Sequence, residues 1–177
     1  MILALDSYYK DDVCNTSYVI FDEQNGEELV HTDTIYTKIT SEYIPGEFYK
    51  RELPGIIQII EKLINEKPDL WDKISVIITD SFLKLKTDVI EWDGLGIYLS
   101  KYLKSKGYEK VIWGVAKSKF GDCDKISELV CRGESEKPLF VQSTVDNKIA
   151  ANAVKHFNGK YRIPDMLKKV DQLSRVF

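Results

Sequence analysis

Four carboxylates and one lysine stand where this chain could gather a metal site for phosphodiester chemistry. Asp6 lies in the first strand candidate, Ile2-Leu3-Ala4-Leu5-Asp6, and Asp80 ends another, Ile74-Ser75-Val76-Ile77-Ile78-Thr79-Asp80. Glu52 follows the segment Gly46-Glu47-Phe48-Tyr49-Lys50-Arg51, and Asp171 falls in a C-terminal helix candidate. Hard cations such as Mg²⁺ take oxygen ligands, and two of them about 3.5–4 Å apart stabilise both the attacking water and the leaving oxygen of a phosphodiester. Lys117, at the end of an apolar run, offers a cation to orient that water or to neutralise charge developing at phosphorus. Plainer readings exist for each residue. Asp6 and Asp80 suit turn-capping at strand ends, and Glu52 suits the positive end of a helix. Asp171 stands at ion-pair spacing from Lys168 and Arg175.

The elements that must position these groups are legible as hydrophobic periods. Residues 2–9, 16–21 and 29–39 read as three strands, rich in β-branched and aromatic residues and separated by turn-like Lys10-Asp11-Asp12 and Glu23-Gln24-Asn25-Gly26. Their close spacing predicts an antiparallel meander. Ile56, Ile59, Ile60, Leu63 and Ile64 repeat at helical spacing, which predicts a helix over about 54–66 with Pro54 in its first turn. The apolar run 74–79 reads as a strand covered on both faces. A helix over about 94–105, a strand over 110–116, a short strand at Leu139-Phe140-Val141 and helices near 146–157 and 164–175 complete the chain. The order predicts an α/β fold, a mixed β-sheet flanked by helices, in one domain spanning 1–177.

Bulk properties bound the possibilities. The 177 residues are 44% apolar and 30% charged, ordinary for a globular domain. No run of about 18 apolar residues suggests a membrane span, and no leader pattern opens the chain, so a cytoplasmic protein without membrane attachment is expected. Cys14, Cys123 and Cys131 lack metal-ligand spacing and read as reduced thiols. Net charge is −3, but its distribution is uneven: residues 1–100 carry 9 Lys/Arg against 19 Asp/Glu, and residues 101–177 carry 16 against 9. An acidic half that loads cations joined to a basic half suits a nucleic-acid partner; drift of surface charge explains the asymmetry equally well.

Further segments follow these in a distinctive order: Tyr43-Ile44-Pro45-Gly46, Phe48-Tyr49-Lys50-Arg51-Glu52-Leu53-Pro54, Ile78-Thr79-Asp80, Gly94-Leu95-Gly96, Gly114-Val115-Ala116-Lys117-Ser118, Arg132-Gly133, Pro138-Leu139-Phe140-Val141 and Gly159-Lys160-Tyr161-Arg162-Ile163-Pro164, closed by Asp171. Together they make the chain resemble the endonuclease V family over essentially its whole length. The resemblance implies an RNase H-like fold and a metal-dependent endonuclease with Mg²⁺, or Mn²⁺ in its place. The implied reaction is hydrolysis of the second phosphodiester 3′ to inosine in DNA or RNA, leaving 3′-hydroxyl and 5′-phosphate ends. It implies Asp6, Glu52 and Asp80 as catalytic metal ligands, Asp171 as a fourth ligand and Lys117 beside them. It implies Tyr43, Ile44, Pro45 and Gly46 as a strand-separating wedge, with an ordinary packed loop as the other reading of Tyr43. Lys50, Arg51, Gly94, Gly114, Ser118 and Arg162 complete the implied substrate contacts; an ion-pair or packing role suits Arg162 as well. A monomer is the default expectation.

The sequence also departs from that family. Ser81 follows Asp80 where glycine is common, and Lys86 to Asp93 carries Asp88, Glu91 and Asp93 in place of a basic stretch. Glu42 precedes the wedge where proline is frequent, and Ser143-Thr144-Val145-Asp146 replaces a Gly-His segment. These changes thin the substrate-contacting loops and leave the candidate ligands in place. They keep open a divergent nucleic-acid-binding paralogue with little or no cleavage.

Overall fold

A computed structural model describes residues 1–22, 29–39 and 49–177. The N-terminal third forms β1 (Ile2–Lys10), β2 (Val13–Phe21) and β3 (Leu29–Lys38), paired antiparallel as a meander. The chain then enters α1 (Tyr49–Glu66) and the short α2 (Pro68–Lys73), and returns as β4 (Val76–Thr79), parallel to β1. A two-stranded hairpin, β5 (Lys84–Lys86) with β6 (Glu91–Asp93), precedes α3 (Leu95–Ser105) and β7 (Val111–Ala116), which lies parallel to β4. The remaining elements are β8 (Glu128–Val130), β9 (Leu139–Ser143), α4 (Asn147–His156) and α5 (Asp165–Ser174). The main sheet has seven strands in the order β3-β2-β1-β4-β7-β9-β8. It is mixed and flanked by helices, as its alternation of strand and helix signals predicts.

Side-chain period explains which helix covers which face. Leu3 and Leu5 of β1 point to the side where Ile56, Ile59, Ile60 and Leu63 of α1 pack with Leu95, Leu99 and Leu103 of α3. Ile2 and Ala4, one residue out of phase, meet Ala150 and Val154 of α4 and Leu167 and Val170 of α5 on the other face. Val76, Ile77 and Ile78 of β4 are all buried, as a strand covered on both sides requires. α4 starts where its sequence signals: the Asp146 carboxylate accepts from the backbone N–H of Lys148 at 2.8 Å and of Ile149 at 3.3 Å.

Two expectations need correction. The first helix begins at Tyr49, five residues before Pro54, so the proline lies inside it and removes one backbone donor. Glu52 is thereby in the first turn of a helix whose apolar stripe continues behind it. The strand expected over 74–79 starts at Val76, because Ile74 closes α2 by donating its N–H to the Trp71 carbonyl at 3.1 Å. α2, the β5–β6 hairpin and β8 were not anticipated; each is too short to display a period. The expected wedge, Tyr43, Ile44, Pro45 and Gly46, lies outside the described residues. Among those described, no helix is long and apolar enough to cross a membrane.

Candidate active site

Parallel strands place side chains at their carboxyl ends on a common rim. The β1–β4 register pairs Ala4 with Ile78, so Asp6 and Asp80 each stand two residues farther along neighbouring strands. Lys117 is the residue after β7, the next parallel strand. Glu52 enters from α1 on one face and Asp171 from α5 on the other. The fold therefore brings together Asp6, Glu52, Asp80, Lys117 and Asp171. Asp6 and Glu52 are buried, and the Lys117 ammonium lies 3.7 Å from the Asp171 carboxylate.

Burial sets the electrostatics of the acids. It raises the Asp6 carboxyl far above the usual range; the Asp80 charge and a hydrogen bond with Asp80 add to the rise, and Lys117 opposes it. Asp80 is raised as well, by burial first and by the Glu52 charge second. Burial pushes Glu52 up to about 7, although the Tyr9 hydroxyl works against the rise. Asp171 behaves differently. Burial would raise it, but the Arg175 guanidinium, Lys117 and Asp6 outweigh that and hold it below the ordinary value.

Burial raises Asp6, Asp80 and Glu52 together, as expected for acids that share one desolvated site. In this arrangement no group of three or more acidic, histidine or cysteine side chains among the described residues is shaped to hold a metal ion. The donor set nevertheless suits one: hard carboxylate oxygens, desolvated and short of positive charge. A hollow of about 20 Å³ against Asp6, Asp80 and Lys117 has room for one water-sized occupant.

Beside the acids opens a cavity of about 360 Å³, lined by Phe82, Leu85, Leu95 and Phe120 together with Glu52 and Asp80. Its size and apolar walls suit a planar ring such as an extruded base. Tyr49 belongs to the same wall and stacks on Tyr98 with ring centroids 4.1 Å apart. Ser118, expected among substrate contacts, also lines this cavity. So does Gly94, where a Cβ would meet the Phe82 carbonyl oxygen at 2.7 Å. Lys50 and Arg51 occupy the first turn of α1 with Glu52, their cations over the rings of Tyr49 and Tyr9.

Two residues expected among the substrate contacts also have structural employment. A Cβ on Gly114 would clash with the Ser81 carbonyl oxygen, so this glycine lets the segment after Asp80 cross β7 closely. The Arg162 guanidinium donates to the carbonyl oxygens of Lys117, of Lys137 at 3.0 Å and of Pro138 at 3.1 Å. It ties the end of β7 to the start of β9, which is a packing role.

The structure adds residues that sequence reasoning did not assign to the site. Tyr9 has a buried hydroxyl facing Glu52 and lacks a well-formed hydrogen bond. Its only sequence signal was the odd position in β1, which sends it to the α1 face. Ser81 Oγ is buried without a partner beside Asp80, at a position visible as a departure from the family pattern. Gln142 accepts from the N–H groups of Leu83 and Lys84 at 2.8 and 2.9 Å and donates to the Lys84 carbonyl at 3.1 Å, pinning the cavity wall. Arg175 donates to Asp171 at 3.3 Å, as their spacing allowed.

No protein-family model and no curated protein matches this sequence. Solved structures do. Endonuclease V of Ciona intestinalis, in complex with a 24mer DNA containing an inosine followed by a ribo-adenosine, is 20% identical, with a TM-score of 0.76 over 98% of this chain and 84% of that one. Human endonuclease V is 17% identical, with a TM-score of 0.76 over 98% of this chain and 82% of that one. The Bacillus subtilis protein is 17% identical, with a TM-score of 0.69 over 97% and 77%. This chain has the endonuclease V fold.

Proposed function

We propose that the protein is a divalent-metal-dependent endonuclease that hydrolyses the second phosphodiester 3′ to inosine in DNA or RNA. The observation that carries the reading is the convergence of Asp6, Glu52, Asp80 and Lys117 beside a 360 Å³ cavity of base-like dimensions. The solved structures of the same fold include one bound to inosine-containing DNA.

Asp6, Glu52 and Asp80 would hold Mg²⁺ or Mn²⁺, with Asp171 at the margin where Lys117 and Arg175 already compete for it. Such an ion, when bound, supplies Lewis-acid activation of water and of the phosphate oxygens. The chain's own part is positioning. Lys117 places an ammonium next to the acids, where it can hold the non-bridging phosphate oxygens as their charge grows. Phe82, Leu85 and Phe120 exclude water from a base lodged in the cavity, and that binding fixes which phosphate reaches the acids. Cytoplasmic localisation and a monomeric state accompany this reading as further proposals.

A second reading, a nucleic-acid-binding protein with little cleavage, draws on the ion pairs that engage Asp171 and on the absence of a preformed three-ligand cluster among the described residues. One experiment separates the two. The protein and its Asp80→Asn variant are incubated with matched oligonucleotides, with and without one inosine, as DNA and as RNA, in Mg²⁺, Mn²⁺ and EDTA, and cut positions are mapped. A metal-dependent nick one nucleotide beyond inosine, absent in the variant, is the expected result. Retention of the inosine strand without a cut supports the binder. Equal cutting of plain strands refutes inosine specificity.

A further inference from the structure

Beyond the acids, the α5 face of the sheet changes character in rows. The strand register places Asp6, Ser17 and Thr34 in one row, Tyr8, Asn15 and Tyr36 in the next, and Lys10, Val13 and Lys38 in a third. Successive rows on one face are about 7 Å apart. The surface therefore passes from anionic to aromatic to cationic as it leaves the candidate active site.

The aromatic row is open and joined by the end of the chain. Tyr8, Tyr36 and Phe177 are 37%, 52% and 46% exposed, which leaves ring surface free for a ligand. The Phe177 ring stands between the two tyrosines, at 6.1 Å from Tyr8 and 5.9 Å from Tyr36. The tail is held there by the Val176 carbonyl, which accepts from the Asn15 amide at 2.7 Å and the Tyr36 hydroxyl at 2.8 Å. Cations border the rings: the Arg175 guanidinium lies 4.6 Å from the Tyr8 centroid, and the Lys10 ammonium 5.9 Å from that of Phe177. Arg175 also bonds Asp171, which makes the aromatic patch continuous with the acid cluster.

Exposed aromatics bordered by Lys and Arg match an unpaired nucleic-acid strand, whose bases stack while its phosphates seek cations. Resting on the nuclease reading above, we propose that Tyr8, Tyr36 and Phe177, with Lys10 and Arg175, form a stacking surface for the single strand flanking the cut. It is sequence-tolerant, because every base has a π-face. It lies on the α5 side of the sheet, whereas the base cavity is built on the α1–α3 side.

The test measures fluorescence anisotropy of labelled dT and U single strands about 20 nucleotides long and free of inosine, in Mg²⁺ at low salt. Tyr36→Ala and Phe177→Ala should each weaken binding about fivefold or more, the loss expected for one stacked base. Tyr36→Phe keeps the ring but not the tail anchor and should stay within about twofold of the parent. Leu129→Ala removes an exposed apolar side chain on the opposite edge strand of the sheet and should change nothing. Circular dichroism confirms that each variant folds, and Phe177→Ala spares every strand. Unchanged binding in Tyr36→Ala and Phe177→Ala overturns the proposal. So does a Tyr36→Phe loss equal to that of Tyr36→Ala, which would make the tail anchor the active feature. Altered self-association with strand binding intact overturns it in favour of a second copy. Cleavage of inosine strands is scored in parallel on the same proteins. If the parent stacks plain strands through these rings and cuts nothing, the surface stands and the nuclease reading falls. If it cuts inosine strands and the aromatic variants bind like the parent, the surface falls alone.

Discussion

At Glu52, burial pushes the carboxyl up to about 7 from an ordinary 4.5, so the folded protein holds this proton more tightly than the unfolded chain does. The stability that follows is complete below pH 4.5 and is lost as pH rises through about 7. Without metal, the melting temperature should fall between pH 5 and pH 8, and Glu52→Gln should flatten that decline. A thermal-shift series in EDTA reads both; an unchanged slope in Glu52→Gln would place the pH dependence elsewhere. Lys117 separates chemistry from stability. Its pairing with Asp171 is partly exposed, so Lys117→Ala should cost less than about 1 kcal/mol in urea unfolding. The loss in kcat on an inosine strand should be about 10²–10³-fold, as for removal of one preorganised charge-stabilising group.

Among the elements, the cavity wall depends on one buried amide. Gln142 satisfies the N–H groups of Leu83 and Lys84, and Gln142→Ala would leave both donors without their acceptor. A loss of about 1–3 kcal/mol per unsatisfied buried group is expected in urea unfolding, together with weaker inosine discrimination as the wall loosens. Nothing in the sequence marked Gln142, because its partners are 58 and 59 residues away. What was legible is what has a period. The β-branched alternation of β1 to β3 and the isoleucine stripe of α1 located those elements, and the ends of the apolar runs pointed to Asp80 and Lys117, whereas Asp6 lies within β1. Proline at position 54 hid the true start of α1, since a proline reads as a helix beginning. Three-residue strands such as β5, β6 and β8 offer no repeat to detect. For Arg162 the sequence left a phosphate contact and a packing role equally open, because its type carries no sign of the carbonyls that tertiary structure turns toward it.

For the molecule as a whole, an ion held by the acid cluster, as proposed, would make folding and ion binding one equilibrium. Mg²⁺ at a hundred times its dissociation constant should stabilise the protein by about 2.7 kcal/mol, and Asp80→Asn should remove most of that gain. Calorimetry with and without the ion measures it; equal gains in both proteins would mean that the ion binds elsewhere. The Arg162 clamp has a consequence for any mutational survey. Its guanidinium holds the carbonyl of Lys117 and those of Lys137 and Pro138, so truncating it would unmoor the lysine proposed to stabilise the phosphate. In an alanine screen scored by activity alone, Arg162 would rank beside Lys117 and be mistaken for a partner of the phosphate. Its signature would be a lowered kcat at unchanged KM, the mark of a hinge pin rather than a hand.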